Sequence, residues 1–438
     1  MTLEHAKDLL AAHGQQHVLR FWDTLDGAAR ASLLAQIGTL DFAAIARMRD
    51  MLLGAASDEP RAEPRAPDVT VLSGAERAAA LEAGGAAFRA GSVAVLPVAG
   101  GQGSRLGYEG PKGAYAIGPI TGQSLFYFHA RKVAGLSRRY GVRVPFYIMT
   151  SAANDAETRA HFEANGHFGL DAADVIFFRQ GVWPALDEEG RIILDAPGHI
   201  FMNPDGHGGT ITALEASGCL ADMEARGIAS VFYFQVDNPM VEVADPAFIG
   251  LHAMRGADVS LKVCAKRGSD EKMGVVVTRG GHTEIVEYTE MTPEMAHRRT
   301  ADGGLYFNYG SVAIHVFSAA FLRRVAARPM PLHIAHKKIP VCGADGATVK
   351  PAANNGYKFE KLIFDVLPNA RNVVSLAFDR ADEFSPVKNP DGDDSPATCQ
   401  RDLQAKWRRQ LAAAGVLISE DATVEVDPGG EWGTGIRD

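Results

Sequence analysis

Apolar positions in the first 56 residues recur at a helix-like interval. Leu9-Leu10, Val18-Leu19, Phe21-Trp22, Leu25, Leu33-Leu34, Ile37 and Leu40 mark one face of a 3.6-residue period and predict a helical segment. Residues 57–67 then hold three prolines and five charges, the composition of a linker or a surface crossing. A boundary is expected near residue 67. From Val93 onward, short apolar runs alternate with helix-like stretches. Residues 93–96, 144–150, 175–178 and 229–236 read as strands, and 155–165 and 210–227 as helices. Such alternation predicts an α/β fold with a mainly parallel sheet covered on both faces. Between 257 and 290, short strands at 259–263, 274–277 and 284–288 predict an inserted mixed or antiparallel part. After about 375 the pattern weakens. A turn-rich acidic stretch at 389–396, a last helix at 403–414 and a short strand-like end complete the chain. The expected division is 1–67, 68–385 and 386–438.

The chain has 438 residues, 46% of them hydrophobic, enough for two or three domains, or one large α/β domain with attachments, around a substantial core. Its net charge of -9, from 44 basic and 53 acidic residues, argues against a general nucleic-acid binder. Any phosphate ligand must therefore be held by local cations. None of Cys219, Cys264, Cys342 and Cys399 falls in a CxxC pair, which points to reduced thiols rather than zinc or a disulfide framework. Residues 1–23 lack the apolar run of a signal peptide, and no run approaches the roughly 20 apolar residues of a membrane span. A cytoplasmic location without membrane attachment is expected.

The chemistry concentrates after the strand at 93–96. Leu96-Pro97-Val98-Ala99-Gly100-Gly101-Gln102-Gly103-Ser104-Arg105-Leu106-Gly107 leads into Pro111-Lys112-Gly113. Without Cβ atoms, consecutive N–H groups can turn toward phosphate oxygens, and Arg105 and Lys112 supply charge. Gly-Lys followed by Ser or Thr is absent, which excludes a Walker A loop. Leu106 stands where the dinucleotide pattern needs its third glycine or alanine. A plain tight turn is the alternative, but it gains nothing from two adjacent cations. Asp237, after an apolar strand, is a natural Mg²⁺ ligand or else a cap. Gln180 carries the donor and acceptor that suit the edge of uracil. Asn203-Pro204-Asp205-Gly206-His207-Gly208-Gly209 is a second glycine-rich turn feeding a helix, where His207 is either a solvated or capping group or a partner for a sugar hydroxyl. Ligands in such sheets gather at the carboxyl ends of the strands. Residue type alone does not single out Glu287, Asn308, Lys358 or Lys388.

In their order along the chain, several blocks resemble the eukaryotic-type UDP-N-acetylglucosamine pyrophosphorylases, within the wider UDP-sugar pyrophosphorylase family. They are Gly14-Gln15-Gln16-His17-Val18-Leu19-Arg20-Phe21-Trp22, the glycine loop with Pro111-Lys112-Gly113, Phe177-Phe178-Arg179-Gln180-Gly181, Pro204-Asp205-Gly206, Val236-Asp237-Asn238, Val286-Glu287-Tyr288, Phe307-Asn308-Tyr309-Gly310, Asn355-Gly356-Tyr357-Lys358-Phe359-Glu360-Lys361 and Phe384-Ser385-Pro386-Val387-Lys388-Asn389. The resemblance implies a Rossmann-like, GT-A-like nucleotidyltransferase sheet in residues 68–385, with an N-terminal helical segment and a small C-terminal region. It implies transfer of a uridylyl group from UTP to a sugar 1-phosphate, with Mg²⁺. Ala99, Gly100, Gly101 and Gly103 would cradle the UTP phosphates, with Arg105 and Lys112 on them. Gln180 and Gly206 would recognise uracil. Asp237 would hold Mg²⁺, Glu287 and Asn308 would bind sugar hydroxyls, Lys358 would contact the phosphates and Lys388 the sugar phosphate. The acetylglucosamine enzymes carry Asn at the position of His207, and the UDP-glucose and broad UDP-sugar enzymes carry Gly-His-Gly there. N-acetylglucosamine 1-phosphate is the expected substrate, with glucose 1-phosphate or a broad sugar range as the alternative. A UDP-sugar-dependent glycosyltransferase and a non-catalytic UDP-sugar sensor are more remote.

Overall fold

The computed structural model describes residues 1–54 and 62–430. Of the expected linker, residues 57–61 lie outside the described residues; Arg65 forms an isolated antiparallel bridge with Thr278. The chain makes two compact units, one of Met1–Arg61, Gly181–Gly209 and Met330–Ile363, the other of Ala62–Gln180, Thr210–Pro329 and Phe364–Asp438. The expected segments 1–67, 68–385 and 386–438 cut the chain at other places.

The smaller unit packs helices Leu3–Ala12, Gly27–Thr39 and Phe42–Leu53 against short hairpins. Leu10, Leu33, Ile37, Ile45 and Met48 are buried with Leu186, Ile192, Leu194 and Phe359, so the apolar face read in the first 56 residues is a core face. Polar residues of the first block fix that packing. Buried Gln15 donates through Nε2 to Gly190 O at 3.1 Å and accepts from Ile192 N at 2.8 Å. His17 Nε2 lies 2.8 Å from Ile192 O.

The larger unit is built on one nine-stranded sheet. Its strands are β1 (Val93–Val98), β2 (Phe146–Thr150), β3 (Val175–Arg179), β4 (Ser230–Gln235), β5 (Val259–Ala265), β6 (Val275–Arg279), β7 (His282–Val286), β8 (Tyr309–Ser318) and β9 (Val373–Ala377). Their order is β7-β6-β8-β4-β1-β2-β3, with β5 pairing both β8 and β9. β1 pairs β2 and β4 in parallel, and every residue of β1 and β2 is buried, as helices on both faces of a parallel sheet require. The antiparallel part is not a separate insertion: β8 pairs β4 directly and carries β5 and β6. Residues 210–227 make two helices, Gly209–Ala216 and Cys219–Ala225. Gly218 between them, at φ +76°, breaks the ladder. The last helix begins at Pro396 under a Ser395 capping box and ends at Ala413. The strand-like end is not a strand in residues 415–430, and residues 431–438 lie outside the described residues. The helices Gly74–Arg89, Leu125–Tyr140, Asp155–Ala164, Pro246–Met254 and Ala319–Ala326 also belong to this unit. All four cysteines are buried and free. Among the described residues, no helix is long and apolar enough to cross a membrane.

One ionic cluster sits inside this unit. Lys262 on β5 is 1% exposed, with Nζ 2.5 Å from Glu383 Oε1 and 3.1 Å from Asp245 Oδ2. Burial pushes its ammonium down, but the two carboxylates outweigh it and hold its pKa above the ordinary lysine value. A buried carboxylate stripped of its cation is strongly destabilising. Lys262→Ala is therefore expected to lower the stability of this unit by about 3–5 kcal/mol, read in urea denaturation, whereas a change under about 1 kcal/mol would mean that water already screens the cluster.

Candidate active site

The pairing of the strands dictates where the chemistry collects. β1, β2, β3 and β4 run parallel, so their carboxyl ends share one edge. β7 ends and β8 begins at that same edge, because Val275 pairs Val286 on one side and Gly310 on the other. The glycine loop follows β1, Gln180 follows β3, Asp237 follows β4, Glu287 follows β7 and Asn308 precedes β8. The larger unit therefore brings nine of the expected site residues to one sheet edge: Ala99, Gly100, Gly101, Gly103, Lys112, Gln180, Asp237, Glu287 and Asn308.

The loop is held in an open shape by hydrogen bonds to its carbonyls. Buried Asn154 donates through Nδ2 to Ala99 O at 2.9 Å and to Gly101 O at 3.2 Å. Its Oδ1 accepts from Ser151 N at 2.8 Å. Lys112 N donates to Gly101 O at 3.0 Å and Gly103 N to Gly110 O at 2.9 Å. Among the described residues, the N–H groups of Gly100, Gly101 and Gln102 have no acceptor in the protein. Donors left in a turn of this kind form a concave anion site. Gln180 Oε1 lies 2.2 Å from where a Cβ on residue 100 would stand, so only glycine admits the amide there.

Lys112 and Asp237 meet at the ends of two adjacent strands. Nζ lies 3.2 Å from Oδ2, and the side chains are 17% and 16% exposed. Arg105 sits on the exposed turn Ser104–Leu106. Lys388 is tied to the same place through its chain neighbour, since Val387 N donates to Asp237 O at 2.8 Å. Its ammonium is 3.7 Å from Asp394 Oδ2. Asn308 lies one residue before β8, and its carbonyl accepts from Lys266 N at 2.8 Å. Glu287 Oε1 would lie 2.9 Å from a Cβ at Gly274.

Gly206, His207 and Lys358 belong to the smaller unit. Gly206 takes φ +85°, and a Cβ there would meet Lys361 O at 2.4 Å, which explains the glycine. His207 Nδ1 accepts from Ile363 N at 3.2 Å, so this side chain ties its turn to the segment that follows the strand Gly356–Glu360. Lys358 is half-buried on the strand Gly356–Glu360, 5.2 Å from the Phe201 ring centre. Burial lowers its pKa, with Glu360 opposing and Lys337 adding to the effect. Asp205, 2% exposed and 3.4 Å from Lys361 Nζ, escaped the sequence reading, as did Asn154. Asp205 stands within a motif already quoted, but neither residue's burial is visible in the sequence.

Whether a divalent cation suits this edge can be judged from its donors. Among the described residues, no group of three or more His, Cys, Asp or Glu side chains could hold a metal. Asp237 is a lone, half-buried carboxylate. That set does not suit Zn²⁺ or an all-protein cage, but it suits Mg²⁺, which keeps waters and shares itself between one or two carboxylates and substrate phosphates. A cavity of about 1120 Å³ in the same unit is lined by Lys132, Glu242, Lys262, Glu383 and Lys406, and by none of the glycine-loop residues. Gly101 and Gln102 of the loop are exposed.

Comparison with known proteins identifies the family and the fold. The family model of UTP–glucose-1-phosphate uridylyltransferase matches residues 76–393. UDP-N-acetylhexosamine pyrophosphorylase-like protein 1 of Homo sapiens is 38% identical over 96% of this chain and 86% of its own length. UDP-N-acetylglucosamine pyrophosphorylase of Saccharomyces cerevisiae is 36% identical over 77% of this chain and 73% of its own. The crystal structure of the uridine diphosphate N-acetylglucosamine pyrophosphorylase from Trypanosoma brucei superposes with a TM-score of 0.81 at 34% identity, covering 94% of this chain and 87% of that one. The α/β architecture with its mixed central sheet is that of the UDP-sugar pyrophosphorylases. The chain belongs to the UTP–glucose-1-phosphate uridylyltransferase family.

Proposed function

We propose that this protein transfers the uridylyl group of UTP to a sugar 1-phosphate, with N-acetylglucosamine 1-phosphate as its preferred acceptor. An oxygen of the sugar phosphate attacks the α-phosphorus in line. The bond between the α-phosphorus and its bridging oxygen breaks, and pyrophosphate leaves. The nucleophile is already an anion, so no side chain need become covalent or remove a proton. The work of the protein is positioning and neutralising charge.

The observation that carries this reading is Lys112 and Asp237 held 3.2 Å apart beside three unengaged loop N–H groups. Gly100, Gly101 and Gln102 donate to the β- and γ-phosphate oxygens, and Arg105 and Lys112 neutralise the departing pyrophosphate. Mg²⁺ held by Asp237 would supply further neutralisation of the phosphates. Gln180, seated over Gly100, reads the uracil edge. Glu287 and Asn308 accept and donate to sugar hydroxyls, and Lys388 meets the sugar phosphate. Gly206, His207 and Lys358 keep the roles that the resemblance gives them. The preference for the acetylated sugar rests on the names of the relatives at 36–38% identity, and His207 is the residue that speaks for glucose.

Pyrophosphate release from UTP and N-acetylglucosamine 1-phosphate tests the reaction; a UDP-sugar-dependent glycosyltransferase would release none. Lys112→Ala is expected to lower kcat about 10²–10³-fold, the loss of one preorganised charge contact, and undiminished turnover would remove Lys112 from the chemistry. Treatment with EDTA is expected to abolish turnover and added Mg²⁺ to restore it; full activity in EDTA would eliminate the metal role of Asp237. Across N-acetylglucosamine, glucose and galactose 1-phosphates, the first is expected to show the highest kcat/KM. His207→Asn is expected to shift the ratio of the first two by roughly tenfold or more, the scale of one pocket contact. An unmoved ratio would remove His207 from the choice of sugar.

A further inference from the structure

The segment that follows β4 is held in an unusual way. Every carbonyl from Val236 to Val241 has a donor. His129 Nε2, the protonated nitrogen since its partner is a carbonyl, reaches Val236 O at 2.9 Å. Val387 N reaches Asp237 O at 2.8 Å, and Val241 N closes on Asn238 O at 3.4 Å. Lys132 Nζ bridges two carbonyls, Pro239 O at 2.6 Å and Val241 O at 2.7 Å. Lys406 Nζ takes Met240 O at 3.0 Å and also pairs with Glu242. The side chain of Asn238 is engaged at both ends, by Glu383 O at 2.7 Å and Ser385 N at 3.2 Å.

Two lysines are an expensive way to satisfy three carbonyls. Lys406 is 6% exposed, and taking an ammonium out of water costs free energy that neutral donors would not. A serine, an asparagine or a water would meet the same carbonyls. An ammonium makes shorter, stronger bonds and pins the chain more tightly. His129 and Lys132 stand three residues apart on the helix Leu125–Tyr140, and that spacing puts them on one face. Lys406 comes from the separate helix Pro396–Ala413. Two helices thus grip one short segment, and the residue it presents at the sheet edge is Asp237.

We propose that Lys132 and Lys406 are positioning residues for Asp237, fixing where its carboxylate stands and therefore how well it holds a divalent cation. This deepens the proposed function and rests on Asp237 as the metal ligand. Neither lysine touches substrate in this account; each acts through the carbonyls of the segment Pro239-Met240-Val241 that follows Asp237. Residues that orient a metal ligand from behind are worth 10–100-fold in affinity or activity.

The test is Mn²⁺ binding to the full chain with UTP present, followed by electron paramagnetic resonance. Lys132→Gln keeps an amide donor but loses the charge and the second carbonyl, and is expected to raise the Mn²⁺ Kd by about 10–100-fold. Lys132→Arg, which can still bridge two carbonyls, is expected to restore most of that loss. Lys406→Gln, a second variant on a different helix, is expected to weaken Mn²⁺ in the same direction. Binding of uridine, which carries no phosphate, should stay within about twofold in all three by the same reasoning. Asp237→Asn is the reference. If it weakens Mn²⁺ while both glutamine variants bind normally, the positioning role is wrong and the metal reading survives. If Asp237→Asn leaves Mn²⁺ binding unchanged, the metal reading fails and takes this one with it. Equal loss of Mn²⁺ and uridine binding in the glutamine variants would mark a general loss of fold and overturn the positioning role.

Discussion

A lysine and an aspartate 3.2 Å apart at the ends of neighbouring parallel strands are the constraint on which the functional edge depends. β1 and β4 are hydrogen-bonded neighbours from Val93–Ser230 to Val98–Gln235, so whatever follows one lies beside whatever follows the other. The glycine loop and Asp237 are adjacent for that reason alone. Each member of the pair also keeps its partner's charge compensated where both side chains are mostly buried. In the proposed function, an incoming triphosphate would offer Lys112 a stronger anion than one carboxylate, and would offer a cation held by Asp237 further oxygens to share. The pair is thus suited to exchanging its internal contact for two contacts to ligand.

Around that pair the structure is stiff where stiffness serves binding. Asn154 takes up loop carbonyls and leaves loop N–H groups unengaged. The segment after β4 has every carbonyl engaged from Val236 to Val241. These are two sides of one requirement. Backbone polar groups at a sheet edge must be paired somewhere, and which groups are left unpaired decides what the edge can hold. Here the donors remain, and donors favour an anion.

Much of this was legible in the sequence, for identifiable reasons. β1, β2 and β4 are buried on both faces, so they stand out as unbroken apolar runs. The glycine loop announces itself by composition, and Asp237 by its place after such a run. What stayed hidden depends on contacts distant in sequence. The helix Gly74–Arg89 is rich in alanine and includes Gly84, where a Cβ would meet Pro246 O at 1.8 Å; close backbone packing replaces the large apolar residues that periodicity detects. The smaller unit is assembled from three separated stretches, joined by contacts such as Gln15 with Gly190 and Ile192 that no local pattern encodes. Lys132 and Lys406 are marked by no motif, and their backbone partners lie more than a hundred residues away. His207, singled out for a sugar, proved to have a backbone partner in Ile363.

Family and substrate are therefore supported at different depths. The central sheet belongs to the fold shared with the UDP-sugar pyrophosphorylases. In the proposed function, sugar choice rests on a few side chains, Glu287, Asn308 and His207 among them. The most direct test of the central claim is a crystal structure of the protein soaked with UTP and Mn²⁺, read by anomalous scattering. On this account, the triphosphate lies along Gly100, Gly101 and Gln102 with Lys112 upon it, and the Mn²⁺ peak lies within bonding distance of Asp237. A triphosphate bound elsewhere, with that edge holding only solvent, would contradict it.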